Sequence, residues 1–422
     1  MSISQLYPEE GPSLNLNFAG SRILDPRITF SRSQTTSNGS TYTGRDGLIK
    51  YAGPNEPRFD HRYVNGEIES LGLLIEEQRV NSALRSQEFN LSPNQAANAS
   101  ISPNAAIAPD GTLTADKLVE DGILSQFKRV QQGGFSVNGD YTVSCFFKAG
   151  EVYKGYIQLL NTTNAAAFFD LNQGIITGGT GTIGIIAYPN GWYRVYATNT
   201  YTNETPTVYI VMVDANGQSN YTGNGANGMY VWGLQVEQGS FPTSYIPTEG
   251  STKTRTPDNA YIEGTQFNQF YNLSEGTVFC SFSSPTPYGR TNATPFVFSI
   301  NRNTIGWGHY VSSGGSSISL FRDPSDVNIA FLNTAGSPTI GITDQERKLS
   351  VGYKLDDFVQ YVNIGNGVIS ERTDSLGQVR TDINAFAFNP QHSGLQRFGG
   401  HIKNFSYYPT KFTNTQIRNL AL

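Results

Sequence analysis

Charge is scarce in this sequence and cysteine scarcer still. Charged residues make up 15% of the 422 and the formal net charge is −5, with no long basic run. Clustered Lys and Arg are the footprint of a nucleic-acid partner, so that class is set aside. No apolar stretch approaches the roughly 18 residues that a membrane-spanning helix needs. The opening MSISQLYPEEGPS has neither a charged leader nor an apolar centre, so synthesis in a cytoplasm without a secretory signal is expected. The only cysteines, Cys145 and Cys280, sit in the apolar runs VSCFF and VFCSF and are expected to be buried free thiols in different domains. The four histidines, His61, His309, His392 and His401, form no HxH or HxxxH pair, so neither a metal nor a cofactor is expected.

What the chain has in quantity is aromatic side chains (12%), Gly, Asn, Ser and Thr. That mix suits pleated strands and tight turns. Met229–Glu237 alternates as a strand should, with Tyr230, Trp232, Leu234 and Val236 on one face. The Gly-, Ser-, Pro- and Thr-rich stretch after it reads as the end of a core strand and the start of a tether. Before it, strand candidates recur from Ala115 onward, among them Tyr141–Lys148, Trp192–Thr198 and Thr207–Val213. After it, a second series runs from Thr277–Phe282 through Arg347–Lys354 and Phe358–Ile364 to Gly399–Tyr407. DYTVSCFFK (Asp140–Lys148) and EGTVFCSFS (Glu275–Ser283) align Val143 with Val278 and Cys145 with Cys280, as two copies of one architecture would. The expected class is all-β. Residues 1–85 form a turn-rich segment expected to pack on or complete the first sandwich, 86–248 that sandwich, and 249–422 a second one. Val80–Ser86 is read as one helical turn, and Thr413–Leu420 as a helix capped by Asn414.

Arg27–His61, RITFSRSQTTSNGSTYTGRDGLIKYAGPNEPRFDH, followed by SLGLLIEEQRVN (Ser70–Asn81), resembles the N-terminal pattern of a family of tailed-bacteriophage virion proteins. APDGTLTADKLVED (Ala108–Asp121), GWYRV (Gly191–Val195) and YVWGLQVEQGSFPTSYIPT (Tyr230–Thr248) look like that family's first sandwich. GGHIKNFSYYPTKFTNTQIRNL (Gly399–Leu420) is similar to its closing strand and helix. The resemblance implies two tandem concanavalin A-like (laminin G-like) jelly-roll β-sandwiches. It also implies a place in a phage particle as tail fibre, appendage or head decoration, assembled in the host cytoplasm. A homo-oligomer, with a trimer as the working expectation, and contacts to other virion proteins through the N-terminal segment follow from the resemblance alone. It brings no catalytic or ligand residue.

Enzymatic motifs fail on inspection. Retaining glycoside hydrolysis needs two carboxylates about 5–5.5 Å apart. Glu67 and Glu69 have a suitable spacing on a strand, but they follow an Asn-Gly turn and read as a solvated pair. FFKAGEVYKG (Phe146–Gly155) resembles an alginate-lyase motif, yet its tyrosine is displaced by one residue, which turns a strand side chain to the opposite face. There is no GxSxG elbow. Asp356-Asp357 reads as a hairpin turn and Asp323 with Asp326 as a loop. Sugar recognition needs an exposed aromatic face flanked by polar groups. The richest such run is Asn301–Tyr310, NRNTIGWGHY, with Trp307, His309 and Tyr310 beside Asn301, Arg302 and Asn303; Tyr193, Tyr196 and Tyr201 are a second. The expected function is a non-enzymatic virion protein, an adhesin contacting host surface polysaccharide. The alternatives are a capsid decoration protein without glycan affinity and a polysaccharide depolymerase.

Overall fold

The structure is a computed structural model that describes residues 3–33, 39–284, 296–301, 306–311, 316–323, 325, 327–334, 345–365, 369–388 and 398–422. The fold is all-β, built as two antiparallel sandwiches, each with its own core. In the inner sandwich one sheet runs in the order Thr182–Ala187, Trp192–Glu204, Val137–Lys148, Gly228–Gln238, Ala115–Glu120, Ala99–Ala106. The facing sheet runs Ile175–Thr180, Asn164–Asp170, Lys154–Leu160, Thr207–Met212, Arg129–Gln132, Gln95–Ala97. Val143, Cys145 and Phe147 from the first meet Ile157, Leu159 and Phe169 from the second, all buried. Neighbours distant in sequence mean that the chain crosses repeatedly between the layers, as in a jelly roll.

The second sandwich repeats this plan with strands from both ends of the chain. Its first sheet holds Glu275–Ser283, Gly400–Tyr408, Glu67–Ile75 and Arg58–Val64 side by side. They match the inner opening strand, closing strand and hairpin position by position. The other sheet runs Thr29–Ser31, Asn259–Glu263, Ala385–Phe388, Phe296–Ile300, Trp307–Val311, Ser317–Arg322, again in the inner order, with Asn328–Thr334 added at the edge. Leu14–Asn17 adds to Gly400–Tyr408. Val278 and Cys280 pair beside Tyr407 and Phe405, so the aligned VxC runs do hold equivalent central places.

Two domain expectations are therefore corrected. Most strands of residues 1–85 complete the second sandwich, not the first, because the inner sandwich already has its own opening hairpin and the outer one lacks it. The sandwiches are also not in simple tandem, since the inner one is inserted between the outer strands Glu67–Ile75 and Asn259–Glu263. From residues 1–85, Ala83 is buried in the inner core, and the hairpin Thr41–Thr43/Ile49–Tyr51 also packs on the inner sandwich. There Ile49 enters a cluster with Trp192, Trp232 and Tyr245, and Ile49 N–H donates to Pro109 O at 2.9 Å. Within Val80–Ser86 the chain is not helical: Arg79–Asn81 is a strand paired with Lys253–Arg255. The C-terminal helix Asn414–Leu420 is capped by Thr413, whose hydroxyl accepts from Gln416 N–H in a capping box.

A buried ionic network joins the two sandwiches. Arg32, Arg58 and Arg255 are all fully buried. Asp258 accepts from Arg58 at 2.5 Å and Arg32 at 3.0 Å. Glu76 pairs with Arg58 at 2.6 Å and Arg255 at 3.1 Å, and accepts from Ser244 N–H and Oγ–H. Asn81 donates to Leu234 O and Ile246 O, tying the inner closing strand to the same place. Burial alone would raise the Glu76 carboxyl, but the charges of Arg255 and Arg58 win and hold it well below the usual glutamate range. The polar residues of the FSR, PRFD, GLLIE and RVN runs thus do structural work at a seam.

Candidate functional site

Beside that seam the hairpin Thr41–Thr43/Ile49–Tyr51 forms one wall of an open cleft of about 920 Å³. Its turn contains Arg45-Asp46-Gly47, where Gly47 takes a left-handed φ of +74°. Cross-strand register sets Tyr42 opposite Lys50 and Thr41 opposite Tyr51. Thr41 and Thr43 are buried, whereas Tyr42 is half-buried and Tyr51 is 38% exposed. Phe59 adds a third ring, and Asp110 and Thr112 of the inner sandwich close the far side. An open cleft with aromatic and polar walls is what a pyranose chain needs for stacking and for hydroxyl recognition.

The acids of this cleft are all engaged. Asp46 pairs with Lys50 at 2.6 Å, and the hydrogen bond from Lys50 lowers its carboxyl. Asp110 accepts from the Tyr51 hydroxyl at 3.0 Å and from Thr112. Glu56 accepts from Gly53 N–H at 2.6 Å. Burial, then the charge of Glu56, raises the Tyr42 phenol, and burial with Asp110 raises that of Tyr51. Both rings therefore stay neutral, with the Tyr51 hydroxyl donating its hydrogen bond to Asp110.

His61 lies at the floor, 5% exposed. Its Nδ1 is 3.0 Å from Thr43 O, which fixes the proton on Nδ1, and its buried Nε2 has no hydrogen-bond partner. The same side chain lines a second, smaller crevice of about 150 Å³ behind the cleft, toward Tyr188, Arg194 and His401. There Asp60 accepts from Thr43 N–H and lies 2.8 Å from His401 Nε2. Strand register skips Leu71 opposite the Asp60–His61 step, a bulge that sets the direction of both side chains. The bulge is next to Gly72, at φ +89°, where an added Cβ would lie 2.2 Å from Ile402 O.

The residues expected to bind glycan are placed differently. Trp307 is 2% exposed, stacked on Phe321 at 4.9 Å, with Nε1 donating to the Tyr271 hydroxyl at 2.8 Å. His309, on the same strand face, is fully buried with Nδ1 3.1 Å from Ser319 Oγ; burial, then the charge of Arg347, pushes its pKa down to about 3. Strand alternation sends these two into the core and half-buried Tyr310 to the other face, against Phe296. Asn301 is a half-buried turn residue with φ 87°, its N–H donating to Ala385 O. The expectation of an exposed stacking face at Trp307 and His309 is corrected accordingly. Arg302, Asn303, Asp326 and His392 lie outside the described residues.

Other candidates resolve into structural roles. Tyr196 and Tyr201 are buried, Tyr201 donating to Leu159 O. Glu69 pairs with Arg62 and Lys403. Asp356 occupies the expected turn between Arg347–Lys354 and Asp357–Asn363 with φ 53°. Asp323 accepts from Ser325 N–H and Val327 N–H within its own loop. Among the described residues, no three His, Cys, Asp or Glu side chains form a group that could hold a metal. The cleft itself went unread in the sequence, although Tyr42 and Tyr51 flanking Arg45-Asp46-Gly47 across a hairpin were the available signal.

No protein-family profile and no curated protein matches the chain. Among solved structures, the CBM40 domain of the Ruminococcus gnavus IT-sialidase is similar at 14% identity and a TM-score of 0.28, over 35% of this chain and 83% of that one. The mouse laminin α1 domains LG4-5 are similar at 10% identity and a TM-score of 0.24, over 70% and 91%. A SAP-like pentraxin of Limulus polyphemus is similar at 13% identity and 0.24, over 36% and 70%. At these values the likenesses assign no ligand and no residue to this chain.

Proposed function

We propose that this chain is a non-enzymatic carbohydrate-binding protein whose open cleft at Tyr42, Tyr51 and Phe59 takes a polysaccharide segment. Its proposed setting is a bacteriophage particle, as a tail fibre or appendage that contacts host surface glycan. The observation that carries the binding reading is the pair of accessible tyrosines held on a hairpin that is itself pinned to the inner sandwich by buried Ile49. The setting rests on the sequence resemblance. The ion pair of Asp46 with Lys50 argues against a proton-donating role for that acid. Asp46 is held low by Lys50, the reverse of what a general acid requires. Weak individual sites suffice on a particle, because many copies raise the effective concentration of the second contact.

The test is titration of the purified protein with surface polysaccharides from a panel of bacteria, comparing wild type with Tyr42→Ala and Tyr51→Ala. Each substitution is expected to weaken binding roughly 3–10-fold, the worth of one aromatic contact. Undiminished binding by both variants would place the site elsewhere. Absence of binding by the wild-type protein would leave the decoration role, which imaging of labelled particles distinguishes by position on head or tail.

A further inference from the structure

Three cations and three acids line the cleft, yet they are not matched. Lys50 is paired with Asp46, and Asp110 and Glu56 are occupied by Tyr51, Thr112 and Gly53. Arg22 and Arg45 have no carboxylate partner among the described residues. Arg22 caps the short helix Phe18–Ser21 through its backbone N–H, leaving the guanidinium uncommitted, and its Nε is buried without a hydrogen-bond partner. Arg45 is exposed at the hairpin turn. A guanidinium is always charged, and its forked donors match a planar carboxylate in two parallel hydrogen bonds. The two guanidiniums lie outside any ion pair in a cleft whose three cations and three acids sum to no net charge, so their forks are open to an incoming carboxylate.

From this we infer that the ligand is an anionic polysaccharide, its carboxylate-bearing residues held by Arg22 and Arg45 while the rings lie against the tyrosines. This rests on the glycan-binding reading of the same cleft and names its substrate class. A neutral glycan offers Arg22 and Arg45 hydroxyl acceptors only, whereas a carboxylate adds charge and a bidentate fit, which favours the anionic ligand.

The experiment uses the full chain and three probes, polygalacturonate, hyaluronate and polysialate, each beside its methyl ester, which keeps the rings and removes the charge. At least one acid form is expected to bind ten-fold or more tighter than its ester, and this preference is expected to fall as salt rises from 50 to 500 mM, as exposed ion pairs are screened. Arg45→Gln, at an exposed position without a side-chain hydrogen bond or ion pair among the described residues, should reduce the acid-to-ester ratio several-fold, and Arg22→Gln with it should bring the ratio close to one. If acid and ester bind equally, or Arg45→Gln leaves the ratio unchanged, the anionic assignment is overturned and the glycan reading stands. If no acid and no ester binds, both are overturned.

Discussion

Arg58 and Asp258 are 200 positions apart in sequence and share a 2.5 Å hydrogen bond between fully buried side chains. One belongs to a strand completed from the N-terminal segment, the other to the chain leaving the inner sandwich. Asp258 also holds Arg32, so a single carboxylate bridges two buried guanidiniums, with Glu76 on the far side of Arg58.

Removing that carboxylate should be costly. Asp258→Ala leaves Arg32 and Arg58 without their common partner, and loss of one member of a buried pair destabilises by about 3–5 kcal/mol. Urea denaturation followed by tryptophan fluorescence reads it. A loss below about 1 kcal/mol would mean that the seam is solvated or rearranges freely.

The partner carboxylate sets a pH dependence. Glu76 is held well below its ordinary value of 4.5 in the folded chain and returns to it on unfolding. The unfolded state therefore takes up the proton first. The stability Glu76 supplies is complete above about pH 5 and declines as pH falls from there toward its lowered folded value. Glu76→Gln should accordingly be strongly destabilising at pH 7 and less so at pH 3, when each is compared with wild type. A difference that does not change over this range would rule out the ionised form as the stabilising one.

Trp307→Ala should act on stability, not directly on a ligand. Its indole fills the outer core against Phe321 and Phe298, so truncation leaves a cavity costing about 3–5 kcal/mol. Polysaccharide affinity measured well below the unfolding midpoint should be preserved. A folded, fully stable variant that has lost binding would restore Trp307 to a direct role.

Deleting residues 1–80 should disable the second sandwich, although most of its strands would remain. Glu67–Ile75 lies beside Gly400–Tyr408, and Thr29–Ser31 beside Asn259–Glu263, so the deletion bares an edge of both sheets. The truncated chain is expected to aggregate, or to keep only the inner sandwich protected from proteolysis. A soluble, monomeric product with both sandwiches protease-resistant would contradict the observed topology.

Local pattern carried much of the fold. Alternation located Gly228–Gln238, and the match of Cys145 to Cys280 found the equivalent central strands, because both depend on neighbours in sequence. Ownership of the N-terminal strands did not show, since pairing between Leu14–Asn17 and Gly400–Tyr408 leaves no periodic trace. Nor did the burial of Trp307. A strand whose Trp and His face a core has the same alternation as one that faces solvent, and only the opposing sheet decides which. The cleft is invisible for a related reason: Tyr42 and Tyr51 are marked as a site by their shared hairpin and by Asp110 from another domain.

The inserted arrangement also orders events during synthesis. As the chain leaves the ribosome, the hairpin of Arg58–Val64 and Glu67–Ile75 emerges early, and the strand that covers its edge, Gly400–Tyr408, is among the last made. The inner sandwich has all its strands long before that and is free to close while the hairpin waits, since domains fold as units in the order they are translated. The nascent hairpin is then the part of this protein most exposed to mispairing, and a holding chaperone would have most effect there.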